Sequence, residues 1–112
     1  MDDAAIQDLF GELGPVRCRR MFGGRGIYAG DVMFALEAGG EIFLKVDDGS
    51  RAAFEAAGSR PFVYGKEGRA VATSYWRLPD GALDEPSEAA RWARLALDAS
   101  RRKPARRRRA RR

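Results

Sequence analysis

The chain has 112 residues and is 45% hydrophobic, which suits one domain with a modest core. No run reaches the ~18 consecutive apolar residues that a membrane helix needs, the acidic start Met1-Asp2-Asp3 lacks the layout of a secretory leader, and a single cysteine, Cys18, rules out an internal disulfide framework and points to a reducing cytoplasm. The net charge of +5 hides a division, because residues 101–112 hold 9 of the 21 basic groups and no acid, leaving residues 1–100 with 12 bases against 16 acids.

Ile6, Leu9, Phe10 and Leu13 recur at helical spacing and predict a helix over residues 3–13, capped by Asp2 or Asp3 and stopped by Gly14-Pro15. Residues 16–22 read as extended. Gly23, Gly24 and Gly26 then fall within four positions, which predicts a sharp turn or kink between two strands. Residues 26–29 make a short strand, Gly30-Asp31 a turn, and Val32–Ala38 a third, nearly continuous apolar strand. Gly39-Gly40 is a two-residue hairpin signal. In Glu41–Asp47, Ile42, Leu44 and Val46 alternate with Phe43 and Lys45. Asp47 or Asp48 is placed to cap a helix ending at Ala57-Gly58. Phe62–Tyr64 is extended, residues 65–68 turn, and Ala70–Leu78 is a strand closed by Pro79. Asp84 is placed to cap a last helix with Pro86 in its first turn and Ala89, Trp92, Ala93, Ala96, Leu97 and Ala99 along one stripe. Tight turns demand antiparallel pairing. The expected fold is therefore α+β: two layers, an antiparallel meander sheet of five to six strands with helices packed on one face. The folded domain covers residues 1–100, and residues 101–112 form a disordered basic tail.

Catalytic chemistry finds few footholds. The chain has no histidine, so the commonest general base and metal ligand is missing, and Cys-His and Ser-His-Asp arrangements are impossible. Gly24-Arg25-Gly26-Ile27-Tyr28-Ala29 formally fits G-x-G-x-x-A, but Gly30-Asp31 follows where a phosphate-cradling helix would have to start. The pairs Asp47-Asp48 and Asp84-Glu85 read as helix caps rather than metal ligands. Cys18 reads as a buried strand cysteine, with a thiolate favoured by Arg17, Arg19 and Arg20 as the alternative. Phe62, Tyr64, Tyr75 and Trp76 could stack nucleic-acid bases; the competing reading is that alternate members fill the core. No cofactor and no metal site is expected.

Two groups remain as binding candidates. Arg101, Arg102, Lys103, Arg106, Arg107, Arg108, Arg109, Arg111 and Arg112 would hold DNA or RNA non-specifically by displacing counterions, or would be a solvated tail. Arg19, Arg20, Arg25 and Lys45, with Gly23 and Gly24 at the glycine turn, are candidates for a protein partner or, alternatively, for a small molecule or nucleotide through arginine–phosphate pairs. An exposed edge strand would permit a homodimer.

Arg20-Met21-Phe22-Gly23-Gly24-Arg25-Gly26-Ile27-Tyr28, then Met33-Phe34-Ala35-Leu36, Leu44-Lys45-Val46-Asp47, Phe54 with Ala57-Gly58, Pro61-Phe62-Val63-Tyr64, Ser74-Tyr75-Trp76-Arg77-Leu78-Pro79 and the helix around Trp92-Ala93 together resemble the TfoX N-terminal domain family, the TfoX/Sxy-like competence regulators. The resemblance spans about residues 4–100. It implies a cytoplasmic bacterial protein with an antiparallel α+β fold like that of secretion chaperones, without enzymatic activity or cofactor. It also implies transcriptional regulation alongside a protein partner, the cyclic-AMP receptor protein or RNA polymerase. Larger members carry a second, helical domain where this sequence has the basic tail, so the expected role is a broader regulatory or adaptor one than competence alone.

Overall fold

The computed structural model describes residues 1–21, 23–66 and 69–102, with the backbone alone at 64–66 and 69–71. Among these residues the order is α1 (Asp3–Leu9), β1 (Arg17–Met21), β2 (Gly24–Ala29), β3 (Val32–Ala38), β4 (Glu41–Lys45), α2 (Arg51–Ala56), β5 (Pro61–Lys66), β6 (Arg69–Arg77), a 3-10 turn (Asp80–Asp84) and α3 (Pro86–Arg101).

The helix expected over residues 3–13 is shorter. Asp2 caps it, its carboxylate accepting from the Ala5 N–H at 2.9 Å. Helical geometry stops at Leu9, and Gly11 supplies the reason, since glycine in a helix costs about 1 kcal/mol relative to alanine. Ile6, Leu9 and Phe10 still reach the core. α2 begins at Arg51, with Ser50 rather than Asp47 or Asp48 at its cap position. α3 begins at Pro86 with Glu85 before it and no side-chain cap, because Asp84 is taken up by the 3-10 turn after Pro79. The expected alanine–tryptophan stripe is buried in full, and Ala90 joins it.

β1 to β4 form an antiparallel meander, closed at β3–β4 by Gly39-Gly40 with φ +60° and +85°, the left-handed pair that a two-residue hairpin needs. The meander does not continue: the sheet order is β1-β2-β3-β4-β6-β5. β4 and β5 both lie antiparallel to β6 and so run parallel to each other. A tight turn cannot join parallel strands, so α2 carries the crossover and β6 folds back into the gap.

The helices share one face of the sheet. Ile6, Phe10, Phe54, Trp92, Ala93 and Ala96 pack there on Ile27, Phe34, Ala35, Ile42 and Leu44. Phe10 meets Phe34 edge-on at 5.2 Å and Phe54 meets Trp92 at 4.7 Å. A bulge sharpens the division between the faces. Ile27 pairs with Ala35 but Tyr28 pairs with Met33, so Phe34 is an extra residue on β3. Phe34 and Ala35 are consequently both buried, while Met33 joins the opposite face.

Candidate partner-binding face of the sheet

Strand register assigns each candidate to a face. The cross-strand row Cys18, Ile27, Ala35, Leu44, Trp76 lies under the helices. The neighbouring row Arg19, Gly26, Leu36, Phe43, Arg77 points the other way, where no described helix covers it.

This second face has an apolar centre. Met21, Met33, Leu36 and Phe62 are half-buried, and Phe43 is buried against Phe62 at a ring separation of 4.8 Å. A cavity of about 390 Å³ opens here, lined by Met21, Met33, Leu36, Phe62, Thr73 and Tyr75 and also bordered by Arg25 and Glu37. The glycine-rich motif builds its floor. Gly23 makes the turn, with φ +79°, but Gly24 and Gly26 belong to β2 and do not turn the chain as expected. A side chain at Gly24 would collide with the Glu37 carbonyl of β3. One at Gly26 would lie 2.9 Å from the Met21 Sδ and 3.2 Å from the Met33 Sδ. The two glycines thus let strands close and let two thioethers lie flat across the sheet.

Cations stand on both sides of this centre. Arg17 and Arg19 lie over the Tyr28 ring at 5.4 and 5.9 Å, and Lys45 lies over the Tyr75 ring at 5.4 Å while donating to the Ser74 Oγ at 2.8 Å. Arg77 contacts Glu41 at 3.5 Å and Asp80 at 3.1 Å. Burial, and then the nearby Tyr28, push the Tyr75 phenol up from its usual range.

The four cations proposed around the glycine turn are not brought together as a set, although Arg20 and Arg25 line a pocket of about 350 Å³ with Gly23, Gly24 and Glu37. Arg19 and Lys45 are on the open face, whereas Arg20 and Arg25 are on the helix face. Arg25 is committed to acids: its Nε meets Asp3 at 2.9 Å and its Nη1 meets Glu37 at 3.2 Å. Arg20 borders a shallow pocket of about 400 Å³ that Asp2 and Asp3 also line, a poor setting for a phosphate. Cys18 lines the same pocket, and burial, followed by Asp3, pushes its thiol up, against the thiolate alternative. Trp76 packs on the core and Tyr75 on the open face, so the aromatic platform is split, and the Tyr64 side chain is outside the described residues. Among the described residues no group of three or more Cys, Asp or Glu could hold a metal, and no helix is long and apolar enough to cross a membrane.

Of the basic tail, Lys103 and the arginines at 106–109, 111 and 112 lie outside the described residues. Arg101 ends α3, and Arg102 beyond it grips Asp47, with Nη2 on Oδ1 at 2.8 Å and Nε on Oδ2. The Asp47 Oδ1 also accepts the Ser50 N–H at 3.1 Å, so this residue ties the root of the tail to the start of α2. The sequence offered no signal for this pairing across 55 positions. The Arg102 guanidinium, above all through its hydrogen bonds, lowers the Asp47 carboxyl to about 2. A depressed folded-state value stabilises the domain above the ordinary aspartate range and is lost as the pH falls toward 2. Because the side chains are 25% and 49% exposed, the loss in Asp47→Asn at neutral pH is about 1 kcal/mol. Asparagine keeps an acceptor for Ser50, so urea denaturation should show this gap at neutral pH and a much smaller one near pH 2.

No curated protein matches the chain. The family model for the TfoX N-terminal domain matches residues 8–100, which contain the glycine motif, all six strands and the apolar face. The chain belongs to the TfoX N-terminal domain family.

Proposed function

We propose that the chain is a cytoplasmic, non-enzymatic regulatory or adaptor domain that binds a protein partner through the open face of its sheet, with the basic segment beyond Arg102 contacting nucleic acid without sequence preference. The observation that carries this reading is the sheet face that no described helix covers, with an apolar centre of Met21, Met33, Leu36, Phe43 and Phe62. A contiguous apolar patch rimmed by polar groups marks an interaction surface, and methionine thioethers adapt to the shape of a partner. Membership of a family that is not a known enzyme family and the absence of histidine from the sequence support a role in contact rather than turnover. By family resemblance the partner acts in transcription, as the cyclic-AMP receptor protein or RNA polymerase does.

Mixing pure chain with each of these proteins and following co-elution tests the first half. Complex formation that Leu36→Glu abolishes supports the reading, and indifference to that change counts against it. The second half makes a separate prediction. Residues 103–112 hold 7 cations, so DNA affinity should fall with salt at a log–log slope approaching about −6 if all engage. A chain ending at Arg102 should lose low-salt DNA retention while keeping its melting transition. Equal retention by both forms would remove the tail from the account.

A further inference from the structure

The open face has a charge pattern as well as an apolar floor, and the pattern selects among occupants. Its cations Arg17, Arg19, Lys45 and Arg77 stand in a part of the chain, residues 1–100, that is net acidic. Glu41 and Asp80 contact Arg77 at 3.5 and 3.1 Å, and Asp31 lies 3.9 Å from Arg17, so the charge of the face rests mainly on Arg19 and Lys45. Arg17 and Arg19 stand over Tyr28 at the β1–β2 side, and Lys45 stands over Tyr75 at the β4–β6 side. Between these two ridges lie Gly26, Leu36 and Phe43, on three adjacent strands. Two strand spacings make roughly 10 Å, the diameter of an α-helix with its side chains. The seven residues of β3 extend roughly 23 Å, the length of about 15 helical residues.

Resting on the reading of this face as a protein-binding surface, we propose that its occupant is an amphipathic helix of a partner protein, lying along β3 with its apolar stripe on the methionine floor and glutamate or aspartate on both flanks facing the two cation ridges. A second copy of this chain fits less well, since face-to-face pairing would press the same arginines and lysine together. The chain's own segment beyond Arg102 carries the same sign of charge as the ridges and is repelled likewise. An acidic helix satisfies both the floor and its borders.

The test uses the full chain, isotope-labelled for NMR, and three synthetic peptides of about 16 residues, a length that spans the floor. The first has a leucine–phenylalanine stripe flanked by glutamates. The second replaces the glutamates by lysines. The third scrambles the first so that the stripe is lost. The expected result is saturable binding of the first peptide, with shifts at Met33, Leu36 and Tyr75, at least tenfold tighter than either control. The double variant Arg19→Glu, Lys45→Glu should weaken the glutamate peptide at least tenfold and strengthen the lysine peptide; both sites are exposed or half-exposed, so the fold is retained. Equal binding of the glutamate and scrambled peptides would show attraction to the basic tail alone and overturn the proposal. A preference for the lysine peptide at this face would also overturn it, while leaving the protein-binding reading intact. Dimerisation in sedimentation that buries Leu36, with no peptide bound, would replace the helix by a second copy. If neither peptide nor second copy engages the face and Leu36→Glu leaves every partner contact unchanged, proposal and reading fail together.

Discussion

Gly24→Ala should destabilise the domain by about 3 kcal/mol, lowering the melting temperature by roughly 12–20 °C for a domain of this size. The added methyl has nowhere to go. It would fall on the Glu37 carbonyl of the neighbouring strand, which is backbone and cannot swing aside as a side chain can. Relief requires the start of β2 to part from β3, beside the Arg25–Glu37 pair that begins their ladder. Gly26→Ala is the informative contrast. Its methyl meets the Met21 and Met33 thioethers, flexible ends that can shift, so stability should fall by about 1 kcal/mol or less while the floor of the apolar face changes shape. Gly81→Ala, with open space around it, should stay within about 0.5 kcal/mol of the parent. Thermal and urea denaturation of the three variants decide the matter. A Gly24→Ala protein as stable as the Gly81→Ala protein would mean that close strand approach is not what this glycine provides.

The reason the glycine motif was hard to read in sequence is now physical. Glycine clusters signal positive φ, and Gly23 meets that expectation, but Gly24 and Gly26 are needed for space between and above strands. Space is set by residues that pair from elsewhere in the chain, which local pattern does not reveal. The same limit explains the sheet order. The β2–β3 and β3–β4 hairpins could be read from Gly30-Asp31 and Gly39-Gly40, whereas Gly65 and Lys66 of the turn expected at 65–68 belong to β5 and residues 67–68 lie outside the described residues; the insertion of β6 between β4 and β5 depends on a crossover that no turn residue encodes. The helix stripe of α3 was legible because burial on one face imposes its period directly on the sequence. The open face was the least legible part. Its apolar residues, Met33, Leu36 and Phe43, look like core residues in sequence, and the Phe34 bulge shifts the parity by which they would be sorted. Strand alternation did separate Arg17 and Arg19 from Cys18, but the division of Arg19 and Lys45 from Arg20 and Arg25 needed the register.

That division gives Arg25 a structural duty, and its removal should be the most damaging charge change in the domain. Glu37 is buried, with its side chain 7% exposed, and Arg25 is 29% exposed. Besides Arg25, the Glu37 carboxylate accepts the Gly40 N–H at 2.9 Å, and the N-terminal ammonium stands at 3.8 Å. Arg25→Leu would leave that carboxylate buried with too little compensation, at a cost of about 3 kcal/mol. Glu37→Leu should cost less, about 1–2 kcal/mol, because Arg25 keeps Asp3 and the Met1 carbonyl at 2.7 Å and reaches solvent. The double variant should then be more stable than the summed losses require, with a coupling of about 1–2 kcal/mol. Strict additivity in urea denaturation would show that the two charges do not depend on each other. The same cycle bears on the nucleotide alternative. An arginine whose partners are Asp3, Glu37 and a backbone carbonyl presents two carboxylates that repel a phosphate, so nucleotides should not raise the melting temperature of the parent chain. Stabilisation by a nucleotide that Arg25→Leu removes, beyond its own loss of stability, would reverse this conclusion and make the helix face, rather than the open one, the ligand site.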